Sequence, residues 1–112
     1  MKVPKPKEKE IQAACLAWLR LWGALPVRTN SGAVKVADRL VRFNHTPGCS
    51  DALVCLPGGR FAAIEFKRPG ETPTPLQQGF LVDVHAAGGL ALVVTSVDEL
   101  RDQLEAVGYD VG

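Results

Sequence analysis

Residues 48–70, GCSDALVCLPGGRFAAIEFKRPG, decide the fold. Two apolar runs, Ala52 to Leu56 and Phe61 to Phe66, flank Pro57-Gly58-Gly59, and that order predicts two antiparallel strands joined by a tight turn. Asp51 opens the first run; Glu65 and Lys67 stand at the end of the second. Asp51 lies seven residues before Gly58 and Glu65 seven after it, so a regular register sets the two acids opposite each other on one face. Lys67, two residues beyond Glu65, projects to that same face, while Phe66 points the other way into a core.

Directly opposed carboxylates repel, and burying them is expensive unless a cation intervenes. A divalent metal ion resolves the conflict. Oxygen ligands with no thiolate pair nearby favour Mg²⁺ or Mn²⁺ over zinc, and the Phe66 carbonyl can add a further ligand. The Lys67 ammonium can stabilise charge developing on a phosphorane or orient an attacking water, while the metal lowers that water's pKa and polarises the phosphate. These residue types at this spacing suit phosphodiester hydrolysis. The plainer reading, a solvated Glu-x-Lys face and Asp51 as a turn residue, fits less well because both acids adjoin buried-type runs.

Working outward, Glu8 to Trp22 places Ile11, Ala14, Cys15, Trp18, Leu19 and Trp22 at three- and four-residue steps, which predicts an amphipathic helix ending at Gly23. Leu25 to Asn30 and Arg39 to Phe43 read as strands around a loop containing Ser31-Gly32. Thr74-Pro75 caps and opens a helix to about Ala87, stopped by Gly88-Gly89. Leu90 to Thr95 is a short strand, and Ser96 caps a last helix through Val107 with Leu100, Leu104 and Val107 on one face. The strand–helix–strand succession at the C-terminal end predicts a parallel crossover attached to an antiparallel meander.

A chain of 112 residues with 46% hydrophobic and 22% charged residues is sized and composed for one globular domain. Residues 1–7, with Pro4 and Pro6 between lysines, read as a flexible basic tail ahead of a single domain over 8–112. No apolar run approaches the roughly 18 residues of a membrane span, so the expectation is a cytoplasmic protein with no membrane association. Cys15, Cys49 and Cys55 form no CxxC pair, and neither His45 nor His85 has the spacing of a zinc site. Net charge is only +1, yet residues 1–45 carry nine Lys or Arg against three acids and residues 46–112 four against nine. That asymmetry can build a basic surface for phosphates on a nearly neutral molecule.

Gly48-Cys49-Ser50-Asp51 followed by Ile64-Glu65-Phe66-Lys67 resembles the PD-(D/E)XK nuclease superfamily, and the chain is similar to the VRR-NUC nucleases, particularly their stand-alone phage type. Further landmarks are Glu8-x-x-x-Gln12, Arg28-x-Asn30-Ser31-Gly32, Pro75-x-Gln77 and Gly88-Gly89, so the resemblance covers nearly the whole chain. It implies an α/β fold with a compact restriction-endonuclease-like α-β-β-β-α-β core, a mixed sheet flanked by helices. It implies Mg²⁺-dependent DNA cleavage, with Mn²⁺ able to substitute. Asp51 and Glu65 carry over as metal ligands, Lys67 as the catalytic lysine and Gln77 as the active-site glutamine, with Gln78 its competitor. Glu8 carries over as the first-helix acid and a further metal ligand, with Glu10 the alternative. By analogy with stand-alone members, the chain would act as a homodimer on branched DNA such as the four-way (Holliday) junction, in a bacterial host's cytoplasm if phage-encoded. Arg28, Asn30, Ser31 and Arg39 are the candidate DNA contacts, and Trp18 and Trp22 belong to the core or to a dimer interface. Two alternatives stand beside this reading: a non-catalytic DNA-binding module of the same fold, and a nuclease subunit active only with a partner.

Overall fold

The computed structural model describes residues 3–29, 33–42 and 46–112. In chain order these form α1 (Glu8–Trp22), β1 (Leu25–Arg28), β2 (Ala33–Val36), β3 (Arg39–Arg42), β4 (Ala52–Cys55), β5 (Phe61–Phe66), α2 (Pro75–Ala86), β6 (Leu90–Val94) and α3 (Val97–Ala106). The main sheet has the order β1-β4-β5-β6, antiparallel through β5 and parallel between β5 and β6. With α1 ahead of β1 and α2 crossing from β5 to β6, this is the expected α-β-β-β-α-β core.

The β4–β5 hairpin has the register expected from its turn: Ala52 pairs with Ile64 and Cys55 with Phe61. Gly58 and Gly59 both adopt positive φ, at 88° and 95°, and the Leu56 N–H closes the turn on the Arg60 carbonyl at 2.9 Å. Alternation along β5 then sorts its side chains by face. Ala62, Ile64 and Phe66 join Ile11, Cys15, Leu16, Leu19, Leu100 and Leu104 in the main core, so α1 and α3 cover that face. Phe61, Ala63, Glu65 and Lys67 alternate to the other face, which α2 covers through the buried Val84. The acids therefore lie on the sheet's second face, away from the main core.

Helix α1 stops where Gly23 takes a left-handed φ of 106° and Ala24 N–H reaches back to the Leu19 carbonyl at 3.0 Å. Along its inner stripe Leu16 is buried and Ala14 is exposed, which corrects the apolar face expected from the sequence: Ala14 sits at the margin of the Ile11–Cys15–Leu19 line. Trp18 and Trp22 pack on the edge of the core, stacked with centroids 5.1 Å apart, and Trp22 Nε1 donates to the Asp110 carbonyl at 2.8 Å. Val107 is 45% exposed, against expectation, because α3 ends at Ala106 and the stripe of Leu100 and Leu104 ends with it.

Two further differences concern the chain between β1 and β4. Its first strand ends at Arg28 rather than Asn30, and β3 is described to Arg42, Phe43 lying outside the described residues. The expected loop also contains β2, which pairs with β3 as a separate two-stranded sheet, Val36 opposite Arg39. The turn between them uses Ala37 at φ 55°, a conformation for which alanine gives no sequence signal. Lys5 Nζ donates to the Pro69 carbonyl at 3.1 Å and Arg68 Nε to the Pro6 carbonyl at 3.2 Å, so the segment expected as a tail runs along the loop after β5. Among the described residues no helix is long and apolar enough to cross a membrane.

Candidate active site

One step beyond the Ala52–Ile64 pair brings Asp51 opposite Glu65, on the face covered by α2. Asp51 is held from two sides. Its Oδ2 accepts the Phe66 N–H at 2.8 Å, and its carbonyl accepts the Thr29 N–H at 2.9 Å. Thr29 Oγ1 also donates to the neighbouring Ser50 carbonyl, so β1 clamps the chain just before β4. Thr29 carries no local sequence signal for this role, and Ser50 enters only as part of the Gly48–Asp51 motif, because the clamp exists only once β1 lies beside β4.

Glu65 is 1% exposed, and only one of its oxygens is satisfied. Oε1 accepts from Gln77 Nε2 at 3.0 Å, whereas Oε2 is buried and, among the described residues, accepts from no donor. Burial first, then the adjacent Asp51 carboxylate and the hydrogen bond that a protonated Glu65 makes to it, push the Glu65 carboxyl up to about 8; the Lys67 ammonium pulls against them. Lys67 is itself 8% exposed, its backbone N–H bonded to the Val94 carbonyl at 3.0 Å.

From the helices come Glu8 and Gln77. The half-buried Glu8 carboxyl is raised by burial and then by Asp51, with Lys67 opposing, so α1 presents an acid to the same cluster. Glu8 is three residues before the buried Ile11 and shares its stripe, while Glu10, about 200° further round the helix, is exposed. Gln77 is fixed by the N-terminal cap of α2: its Oε1 accepts the Thr74 N–H at 2.9 Å, and its own N–H donates to Thr74 Oγ1 at 3.3 Å. Thr74-x-x-Gln77 was the signal for that capping box. Gln78 turns away, donating from Nε2 to the Pro73 carbonyl at 2.9 Å. Gly48 sets the height of this helix end. At φ 69° it lies so close to α2 that a Cβ there would stand 2.0 Å from the Leu76 carbonyl oxygen.

The donor set suits a hard divalent cation. Two carboxylates meet at one point, one of them with an orphaned buried oxygen and an enforced proton affinity that a cation would relieve. Within β5 the Phe66 N–H points to Asp51, and the carbonyl of a strand residue faces the same edge as its N–H, so the Phe66 carbonyl faces that side too. Among the described residues no group of three or more His, Cys, Asp or Glu side chains could enclose an ion. An ion here would thus complete its shell with the Phe66 carbonyl, water and substrate oxygens, which is how Mg²⁺ is commonly held.

Of the expected DNA contacts, Arg28 is exposed at the end of β1, pairing with Ala52 next to Asp51. Arg39 is exposed on the separate β2–β3 sheet, so the two arginines belong to different elements, and Asn30 and Ser31 lie outside the described residues.

The architecture defines the class: a compact α/β domain whose central hairpin ends in paired acids and a lysine, completed by residues from the flanking helices. Specifically, the chain has the fold of a VRR_NUC domain. A solved structure so described matches it with a TM-score of 0.65 over 91% of this chain and 97% of that one, at 23% identity. This bears out, at the level of the fold, the resemblance to VRR-NUC nucleases. The chain is also 41% identical over 51 residues to "Putative nuclease p44" of Acyrthosiphon pisum secondary endosymbiont phage 1, a match spanning 46% of this chain and 55% of that relative. No family model matches the chain.

Proposed function

We propose that this chain is a metal-dependent endodeoxyribonuclease that hydrolyses phosphodiester bonds, with Mg²⁺ as its ion and Mn²⁺ able to substitute. The observation that carries the reading is Glu65: a carboxyl 1% exposed, opposite the Asp51 carboxyl, with Oε2 accepting from no donor among the described residues. An acid pair buried this way destabilises the fold unless it serves to hold a cation. Bound there, the ion would lower the pKa of water and polarise the phosphate.

Each residue then has a task. Asp51, Glu65 and the Phe66 carbonyl would hold the ion, and Glu8 adds negative charge at the cluster from α1. Gln77 fixes which way Glu65 presents its free oxygen. Lys67 keeps a cation beside the acids and offsets the charge that builds on the phosphate oxygens as water attacks phosphorus and the bond to the sugar oxygen breaks. Arg28 and Arg39 meet flanking phosphates.

The substrate in this reading is branched DNA, a four-way junction cut by a homodimer, because two single-site protomers related by a twofold axis put one cut on each of two symmetric strands. The experiment is cleavage of labelled four-way junction, flap and linear duplex in Mg²⁺ or EDTA, with the chain's size measured in solution. Metal-dependent cutting, strongest on the junction and by a dimer, is the expected result; no cutting of any substrate overturns the reading.

A further inference from the structure

A groove of about 320 Å³ runs between α1 and β1, lined by Lys9, Gln12, Ala13, Leu16, Arg20 and Arg28. Three of these side chains are cationic and none is acidic. Lys9, Gln12, Leu16 and Arg20 recur at three- and four-residue steps, so they form one stripe, about 16 Å long from Lys9 to Arg20. The chain turns back at Gly23, and β1 carries Arg28 alongside that stripe. Lys9, Arg20 and Arg28 are exposed, while the floor holds the buried Leu16.

The groove adjoins the acid cluster at two points. Arg28 pairs with Ala52, the neighbour of Asp51, and Lys9 follows Glu8. Its charge is the reverse of the cluster's. The groove also gathers three of the nine cations that make residues 1–45 basic overall. On α3, by contrast, a second depression is lined by Asp98, Asp102 and Glu105 around Arg101, a surface that repels phosphates.

We propose that the α1–β1 groove is a phosphate track, seating the sugar–phosphate backbone of the DNA next to the phosphate that reacts. Lys9 and Arg20 neutralise phosphates at the two ends of the track, the Gln12 amide donates between them, and Ala13 and Leu16 face the sugars. Long flexible cations on an exposed helix suit backbone contact, which positions the duplex without reading its sequence. The inference rests on DNA being the substrate, and it assigns to α1 a binding role separate from that of Glu8.

The test is binding of a labelled four-way junction in EDTA across a salt titration, for the parent chain, K9A/R20A, K9R/R20K and R60A. The double alanine variant should bind at least about tenfold more weakly, with a salt slope shallower by about 1.8, since each lost phosphate contact removes about 0.9. K9R/R20K should bind as the parent does, and so should R60A, whose arginine lies at the β4–β5 turn outside the groove. Matching thermal melts show that the exposed substitutions leave the fold intact. A slope and affinity for K9A/R20A equal to the parent's overturn the track. A parent that binds the junction but never cuts it in Mg²⁺ overturns the nuclease reading instead, and the slope comparison still decides the groove.

Discussion

Gln77 donates from Nε2 to Glu65 Oε1 at 3.0 Å while its own amide oxygen accepts the Thr74 N–H at 2.9 Å. The side chain is thereby held at both ends, by a helix cap and by an acid. Its amide orientation follows from the cap, since only an oxygen can accept from the Thr74 N–H, and that leaves the NH₂ group for Glu65. A local feature of α2 thus fixes which Glu65 oxygen stays free.

Gln77→Ala is expected to raise the Mg²⁺ concentration needed for half-maximal cleavage by roughly 10- to 100-fold, the range for losing a partner that orients a metal ligand. Gln78→Ala should leave that value unchanged, because Gln78 Nε2 donates to the Pro73 carbonyl rather than to Glu65. Cleavage titrations with Mg²⁺ check both, and equal behaviour of the two variants contradicts the assignment.

Stability of the metal-free chain should fall as pH rises. The Glu65 carboxyl stands at about 8 when folded, above its ordinary 4.5. Below about pH 4.5 both states are protonated and the stabilisation is complete; above it the unfolded chain ionises first, and the contribution is lost as pH passes about 8. Melts in EDTA should therefore give a larger downward shift between pH 5.5 and 8.5 for the parent than for Glu65→Gln. Adding Mg²⁺ at pH 8.5 should restore the parent and not the variant. Identical pH dependence in the two chains would count against a buried, proton-holding Glu65.

Removing the opposing acid should stabilise the empty site. Asp51→Asn takes away the charge facing Glu65 while keeping an oxygen for the Phe66 N–H. In EDTA near pH 9, where Glu65 has lost its proton and both carboxylates are charged, a gain of about 1 kcal/mol, or roughly 4–8 °C, is expected. A variant that melts below the parent under chelation contradicts this account of the repulsion.

Gly48→Ala should be far more damaging than Gly58→Ala. Both glycines have positive φ, so both substitutions carry roughly 1–2 kcal/mol of backbone strain. At Gly58 a Cβ meets nothing within 4 Å, whereas at Gly48 it would stand 2.0 Å from the Leu76 carbonyl oxygen. The start of α2 must move, and Gln77 moves with it. Denaturant melts should show roughly 1–3 kcal/mol of additional loss for the Gly48 variant, together with loss of cleavage.

Much of this arrangement was legible in the sequence because it follows from periodicity. Symmetry about Gly58 gave the Asp51–Glu65 pairing, and the step of two placed Lys67 with Glu65 and Phe66 in the core. The four-residue spacing to Gln12 favoured Glu8 and left Glu10 as its alternative; the burial of Ile11 and Cys15, which fixes the inner face of α1, shows that Glu8 is the acid turned to the cluster. What stayed hidden depends on contacts between distant segments. Thr29 clamps the approach to β4 only after β1 has paired, and Gly48 is needed only because α2 docks against it. The strand β2 was missed because its turn runs through Ala37 rather than a glycine or asparagine.

Cleavage of a labelled four-way junction by the parent chain and by Lys67→Ala, in Mg²⁺ and in EDTA, tests the central claim most directly. The parent should cut in Mg²⁺ alone and Lys67→Ala not at all, with junction binding by that variant largely retained. Normal cutting by Lys67→Ala, or cutting by the parent that persists in EDTA, would contradict that claim.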